Sequence, residues 1–212
     1  MSQVHHFTLS EAGYVLGRSP AVLNKAVDTG VIQARQRKVG NAVQRLLGSA
    51  ELRFLRLADE LDKDLTPAGR RRLYGALRKL PSDAHKLRLG SLELDLARID
   101  ADLEDRMARL EAIRGRIERK GDQGEAFIRG TTIAAHLIAA LARGQGVDAV
   151  LADFPSLTRD QVEAAVEYAK AYPKRGRPYP AQSLKSTLAV LAGAGAFDDD
   201  GDLGDVEPRA VP

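Results

Sequence analysis

The chain has 212 residues, of which 44% are hydrophobic, 29% charged and 5% aromatic, enough apolar content to bury a core in one or two domains. No apolar run approaches the roughly 20 residues that span a bilayer. The start, Met-Ser-Gln-Val-His-His, lacks a signal-peptide pattern, so a cytoplasmic protein without membrane contact is expected. The absence of cysteine excludes disulfides, thiol nucleophiles and thiolate metal sites together.

The net charge of +3 hides a segregation. Residues 1–80 carry 14 − 7 = +7, residues 81–125 carry 9 − 11 = −2, residues 126–196 carry 8 − 5 = +3, and residues 197–212 carry 1 − 6 = −5. A basic front favours a polyanionic partner, because each phosphate neutralised releases counterions.

Thr8 and Glu11 stand at capping-box spacing and open a short helix to Leu16. Gly17 turns the chain. Ser19-Pro20 then supplies an N-cap and a first-turn proline, predicting a second helix to Asp28 that Gly30 ends. Ala12, Leu16, Val22, Leu23 and Val27 are available to pack the pair, which makes a helix-turn-helix candidate. Two strands, Val31–Lys38 and Ala42–Leu47, are predicted around the turn Val39-Gly40-Asn41. Candidate DNA-binding residues are Ser19, Asn24 and Lys25 on the helix and Arg35, Arg37, Lys38, Asn41 and Arg45 on this β-wing. Asn24 suits a base contact, and Lys25 and Arg37 suit phosphates. A solvated hairpin is the alternative.

Thr8-Leu9-Ser10-Glu11-Ala12, Leu16-Gly17-Arg18-Ser19-Pro20 and Gly30-Val31-Ile32 together resemble the DNA-binding head of the MerR family, over residues 7–60. The resemblance implies that the Ser19–Asp28 helix enters the major groove and that the hairpin is the wing. Val43-Gln44-Arg45-Leu46-Leu47 departs from the arginine and aromatic residues common in that family's wing.

A third helix is predicted from Ser49, burying Leu52, Leu55, Ala58 and Leu61, and a fourth from Thr66-Pro67. The adjacent Arg70, Arg71 and Arg72 fan around that helix and are read as solvated. Pro81-Ser82-Asp83 marks a boundary, and alternating leucines at 87, 89, 92 and 94 around Gly90-Ser91 predict a strand or small hairpin. Leu96, Leu103, Leu110 and Ile117 then fall seven apart, predicting a helix from Asp95 to Arg119 whose stripe joins a homodimer. Packing against the chain's own helices is the alternative.

Beyond Gly121–Gly124 the sequence predicts a short strand and three helices, near Ala134–Arg143, Val147–Asp153 and from the Thr158 cap to Tyr172. Within this trihelical unit, Gly124-Glu125-Ala126-Phe127-Ile128-Arg129-Gly130-Thr131, Asp153-Phe154-Pro155-Ser156-Leu157-Thr158 and Ala165-Val166-Glu167-Tyr168-Ala169 resemble the domain-of-unknown-function family numbered 433, over residues 120–172. That family is described as VapB-like and is often encoded beside PIN-like ribonuclease toxins, so the resemblance implies an antitoxin with a PIN-like toxin as partner. It implies no catalytic residues. Thr132 stands where the family usually has arginine.

His5, His6, His85 and His136 lack metal-ligand spacing, and no phosphate-cradling glycine loop is present. No enzyme activity, metal or cofactor is expected. Prolines 173, 178 and 180 stiffen a strip in which Lys174, Arg175 and Arg177 alternate with Tyr172 and Tyr179. Arginine forks match the carboxylates expected in a PIN-like active site, so these five residues, with Leu184 and Leu188 of a short helix in Ala181–Ala196, are the toxin-binding candidates. A basic linker is the alternative, and Asp198-Asp199-Asp200 belong to a solvated acidic tail.

The expected protein is therefore mainly α. A winged helix-turn-helix head (1–80) precedes a connecting and dimerising strand-helix segment (81–120), a trihelical antitoxin-like domain (121–172), and a basic strip, short helix and acidic tail (173–212). The expected function is that of an antitoxin which neutralises a PIN-like ribonuclease and represses its own operon through duplex operator DNA. A stand-alone MerR-like regulator with a ligand-sensing or dimerising C-terminal part is the rival. An RNA-binding factor is a third class, poorly served by so few aromatic residues.

Overall fold

The computed structural model describes residues 6–61, 63–120, 124–174 and 176–193. It is mainly helical, with three small antiparallel sheets. Strand β1 (Phe7–Thr8) leads into α1 (Leu9–Leu16), whose capping box is closed on both sides: Thr8 Oγ1 accepts from the Glu11 amide at 3.3 Å, and Glu11 Oε2 accepts from the Thr8 amide at 2.8 Å. Gly17 ends α1 at φ 69°, a left-handed conformation that glycine adopts without steric cost. Helix α2 (Pro20–Asp28) follows, capped by Ser19. The turn between them is tight, and a side chain at Gly13 would meet the Arg18 carbonyl oxygen at 2.5 Å.

Strands β2 (Arg35–Val39) and β3 (Ala42–Leu47) form a hairpin, and β3 also pairs with β1, Phe7 opposite Leu47. Helices α3 (Ser49–Glu60) and α4 (Pro67–Leu77) come next, then a second hairpin of β4 (Lys86–Leu89) and β5 (Leu92–Asp95). The long α5 (Ala97–Arg116) runs straight into β6 (Ile117–Lys120), which pairs with β7 (Glu125–Ile128). Helices α6 (Ala135–Gln145), α7 (Val147–Asp153) and α8 (Arg159–Ala171) close the trihelical unit, and α9 (Leu184–Gly193) follows the proline-rich strip.

Two hydrophobic clusters result, and α5 belongs to both. From its start as far as Leu110 it places Ile99, Leu103 and Leu110 in a core with Leu23, Leu47, Phe54, Leu73 and Leu87. Its end places Ile113, and β6 places Ile117, in a second core with Ile128, Ile138, Val150 and Val162. This corrects the expectation of a dimerising stripe. Leu96, Leu103, Leu110 and Ile117 are 0%, 4%, 0% and 6% exposed within the single chain, so they present no face to a second copy. Arg106 explains why the stripe is interrupted: it donates to the Val15 carbonyl at 3.2 Å and to Asp102 at 2.9 Å, tying α5 to α1. The heptad spacing is real. Its last member, however, is a strand residue paired with Ile128.

One charged cluster is buried beneath the second hairpin. Arg53 on α3 grips Asp100 on α5 with two hydrogen bonds, 2.6 and 2.9 Å, and its second arm reaches the Ser82 carbonyl at 2.8 Å. His85 Nδ1 approaches the same carboxylate at 2.7 Å. Both carboxylate oxygens and the Nε and Nη2 groups of Arg53 thus have partners, the condition under which a buried ion pair is tolerated.

Candidate nucleic-acid interface

Helix α2 buries Leu23 completely and leaves Val22 and Lys25 exposed, because its apolar side faces α1 and none of the described residues covers Val22 and Lys25. Beside it, every residue of β2 is exposed. Among the described residues, Lys25, Arg35 and Lys38 have no carboxylate partner, and Arg37 donates only to the neutral Gln44 side chain, at 2.7 Å. Four cations on α2 and the hairpin therefore carry charge that no carboxylate among the described residues neutralises. Asn41 is exposed at the hairpin turn, and Ser19 uses its hydroxyl to cap Val22 at 3.4 Å.

Two other residues expected at this interface are already engaged. Arg45 donates to Asn24 Oδ1 and to Asp28 Oδ1, both at 2.6 Å, while the Asn24 amide donates to Asp28 Oδ2 at 3.0 Å. This triad fixes α2 against β3. Its role is to set the angle between helix and hairpin, and Asn24 must exchange partners before it can read a base.

Behind the helix pair lies a joint that no motif in the sequence announces as one. The Glu11 carboxylate is 5% exposed and serves both parts of the chain. One oxygen caps α1. The other accepts the Tyr172 hydroxyl at 2.9 Å and the Arg114 guanidinium, and Arg114 also donates to the Tyr172 oxygen. Tyr14 adds a hydrogen bond to Glu167 on α8 at 3.0 Å. Burial alone would raise the Glu11 pKa, but the Thr8 amide, Tyr172 and Arg114 outweigh it and hold the carboxyl below its ordinary value. Burial and then the Glu167 hydrogen bond push Tyr14 up to about 12, and burial with the Glu11 charge raises Tyr172. The capping glutamate was visible in the sequence. Its long-range partners, 103 and 161 residues away, were not.

Tyr172 is thus a correction: it was expected to face a partner protein, but its hydroxyl points inward to Glu11 and its ring stacks near Tyr168, centroids 4.7 Å apart. Lys174 lies over the Tyr179 ring at 4.8 Å, and Tyr179 donates to Glu125 at 2.6 Å, so the strip folds back on β7. Arg177 is exposed, and Arg175 lies outside the described residues, as do Asp198, Asp199 and Asp200. The strip then presses on α6, where a side chain at Gly144 would sit 1.9 Å from the Ala181 carbonyl oxygen. Ser183 and Gln145 both donate to Asp153, at 2.5 and 2.9 Å, and fix the start of α9. From there Leu184 and Leu188 stand 84% and 53% exposed.

Of the histidines, His85 and His136 are held by Asp100 and by the Tyr172 carbonyl, at 2.7 Å each. Among the described residues no group of three or more His, Asp or Glu side chains gathers to hold a metal. No described helix is long and apolar enough to cross a membrane.

Comparison with known families gives one match. Residues 122–169 fit the sequence model of the family described as protein of unknown function (DUF433), under a quarter of the 212-residue chain. The match covers the β7, α6, α7 and α8 unit of the second core. No curated protein and no solved structure matches the chain.

Proposed function

We propose that this protein is an antitoxin that represses its own operon, binding duplex operator DNA through α2 and the β2–β3 hairpin and a PIN-like ribonuclease toxin through the segment around α9. One observation supports the DNA half above all. Lys25, Arg35, Arg37 and Lys38 form a basic surface without a carboxylate partner among the described residues, on a helix and hairpin whose mutual angle is locked by Asn24, Asp28 and Arg45. A polyanion releases counterions on meeting such a surface. The toxin half is supported by the family match at residues 122–169, given the antitoxin role that the likeness implies, and by the uncovered leucines of α9.

Two sets of full-length variants test the halves separately. Lys25→Ala with Arg37→Ala should lower the slope of log affinity against log salt for duplex DNA by roughly 1.8 units, about 0.9 for each phosphate no longer neutralised. Leu184→Glu with Leu188→Glu should bind DNA as the parent does, yet fail to rescue growth when co-expressed with the toxin encoded next to it. Unchanged salt dependence in the first set removes the operator-binding role. Full rescue by the second removes α9 from the toxin interface.

A further inference from the structure

A cleft of about 840 Å³ separates the β2–β3 hairpin from the trihelical unit, with the start of α1 as its floor. Arg37 and Arg45 line one side, Arg119 and Lys174 the other. Two carboxylates reach it: Glu11 is held by Tyr172 and Arg114, while Glu125 accepts from the neutral Tyr179 hydroxyl and keeps its charge, one anion against the cations of the lining. Arg45 is held by Asp28. Three cations are left without a carboxylate partner among the described residues. Arg37 bonds to Gln44, Arg119 donates to the Tyr168 hydroxyl at 3.2 Å, and Lys174 rests on the Tyr179 ring.

The chemistry of these groups selects among anions. A small free anion is held by buried, convergent donors, and the cleft lacks them: Arg37, Arg119 and Lys174 are all exposed, His136 is bound to the Tyr172 carbonyl, and the α1 start is capped by Thr8. A nucleic-acid backbone asks for less, since exposed lysine and arginine heads spaced along its path suffice to displace its counterions. Arg37 belongs both to the hairpin surface and to the cleft, so a phosphate run that reaches the hairpin continues toward Arg119 and Lys174. We propose that the cleft receives the sugar-phosphate backbone of the bound duplex, with Arg119 and Lys174 as phosphate contacts supplied by the C-terminal part of the chain. This rests on the DNA-binding reading above and extends the interface beyond the head.

The test is a salt series with the full chain and a short duplex of mixed sequence, whose phosphate interactions are independent of base order. Arg119→Gln with Lys174→Ala should lower the slope of log affinity against log salt by roughly 1.8 units, while thermal melting stays near the parent's because both side chains are exposed. Arg119→Lys should restore about 0.9 of that slope, since it keeps the charge. If the charge-removing pair leaves the slope unchanged while Lys25→Ala with Arg37→Ala lowers it, the cleft lies off the DNA path and only the head reading survives. If none of these variants alters the slope, both readings fail. A parallel titration with a nucleoside triphosphate separates the remaining case: binding abolished by the cleft pair, with the duplex slope intact, would make the ligand a small anion and overturn the proposal.

Discussion

Hairpins β2–β3 and β4–β5 are built from similar residues and put to opposite uses. On β4, Leu87 is buried and Leu89 packs against the first core, while the outward Lys86 and Arg88 share Glu93 across the hairpin, at 3.5 and 3.2 Å. On β2, Arg35-Gln36-Arg37-Lys38-Val39 has no buried residue at all, and no carboxylate stands opposite its cations. A strand normally keeps alternate side chains in the core. Strand β2 forgoes that burial, leaving it to Leu46 and Leu47 of β3, and its cations meet no carboxylate among the described residues, whereas the second hairpin balances charge within itself. Cations count toward a partner when nothing in the chain answers them, so local pairing discriminates better than charge density.

The largest expected effect lies under the balanced hairpin. Asp100→Ala leaves Arg53, whose side chain is 8% exposed, buried without its carboxylate and strips His85 of its partner. Removing one member of a buried pair is strongly destabilising, by about 3–5 kcal/mol. Denaturant unfolding should show that loss. A change under about 1 kcal/mol would mean that the β4–β5 hairpin is anchored by its leucines alone.

Next in size is the contrast between the hairpins. Replacing Arg35, Arg37 and Lys38 together by alanine should weaken duplex binding on the order of 100-fold at physiological salt, as three phosphates then keep their counterions. Replacing Lys86 and Arg88 should change it by less than about twofold, because their charge is already answered by Glu93. Equal weakening by both sets would erase the distinction and leave non-specific attraction as the whole account.

Most local elements were legible in the sequence because their signals are local. Capping residues Thr8, Ser19, Thr66 and Thr158 each open a helix where expected, and both N-terminal hairpins follow their turn glycines. What failed was partner choice. The spacing of Leu96, Leu103 and Leu110 requires a buried face but is silent on whether a second copy or the same chain covers it, and here α1, α3 and α8 do. Tyr172 failed for the same reason: an aromatic residue beside a basic strip gives no sign that Glu11, distant in sequence, will accept its hydroxyl. Asn24 was rightly placed on the exposed helix, yet its engagement by Arg45 depends on the hairpin's register.

The joint at Glu11 supplies the smallest effect and the sharpest use of the contrast, since it applies the pairing logic of β4–β5 between two parts of the chain. Tyr172→Phe removes two hydrogen bonds, the one donated to Glu11 and the one accepted from Arg114, and should cost about 2 kcal/mol. Its pH dependence follows from the direction of each shift. Glu11 is held below its ordinary value, so its contribution is present above the usual carboxylate range and disappears as pH falls through the lowered value. Tyr172 is raised, so its contribution is complete below the ordinary phenol value of about 10 and is lost as pH climbs above it. Asp102 is also held low, by Arg106 and Arg56, so the parent's acid limb mixes several groups. The informative measure is therefore the difference in unfolding free energy between the parent and Glu11→Gln. That difference should be widest near neutrality and narrow as pH falls below the ordinary carboxylate range and through the lowered value of Glu11. A difference that stayed constant across that range would mean that Glu11 holds the joint by shape and hydrogen bonding, with its charge contributing nothing.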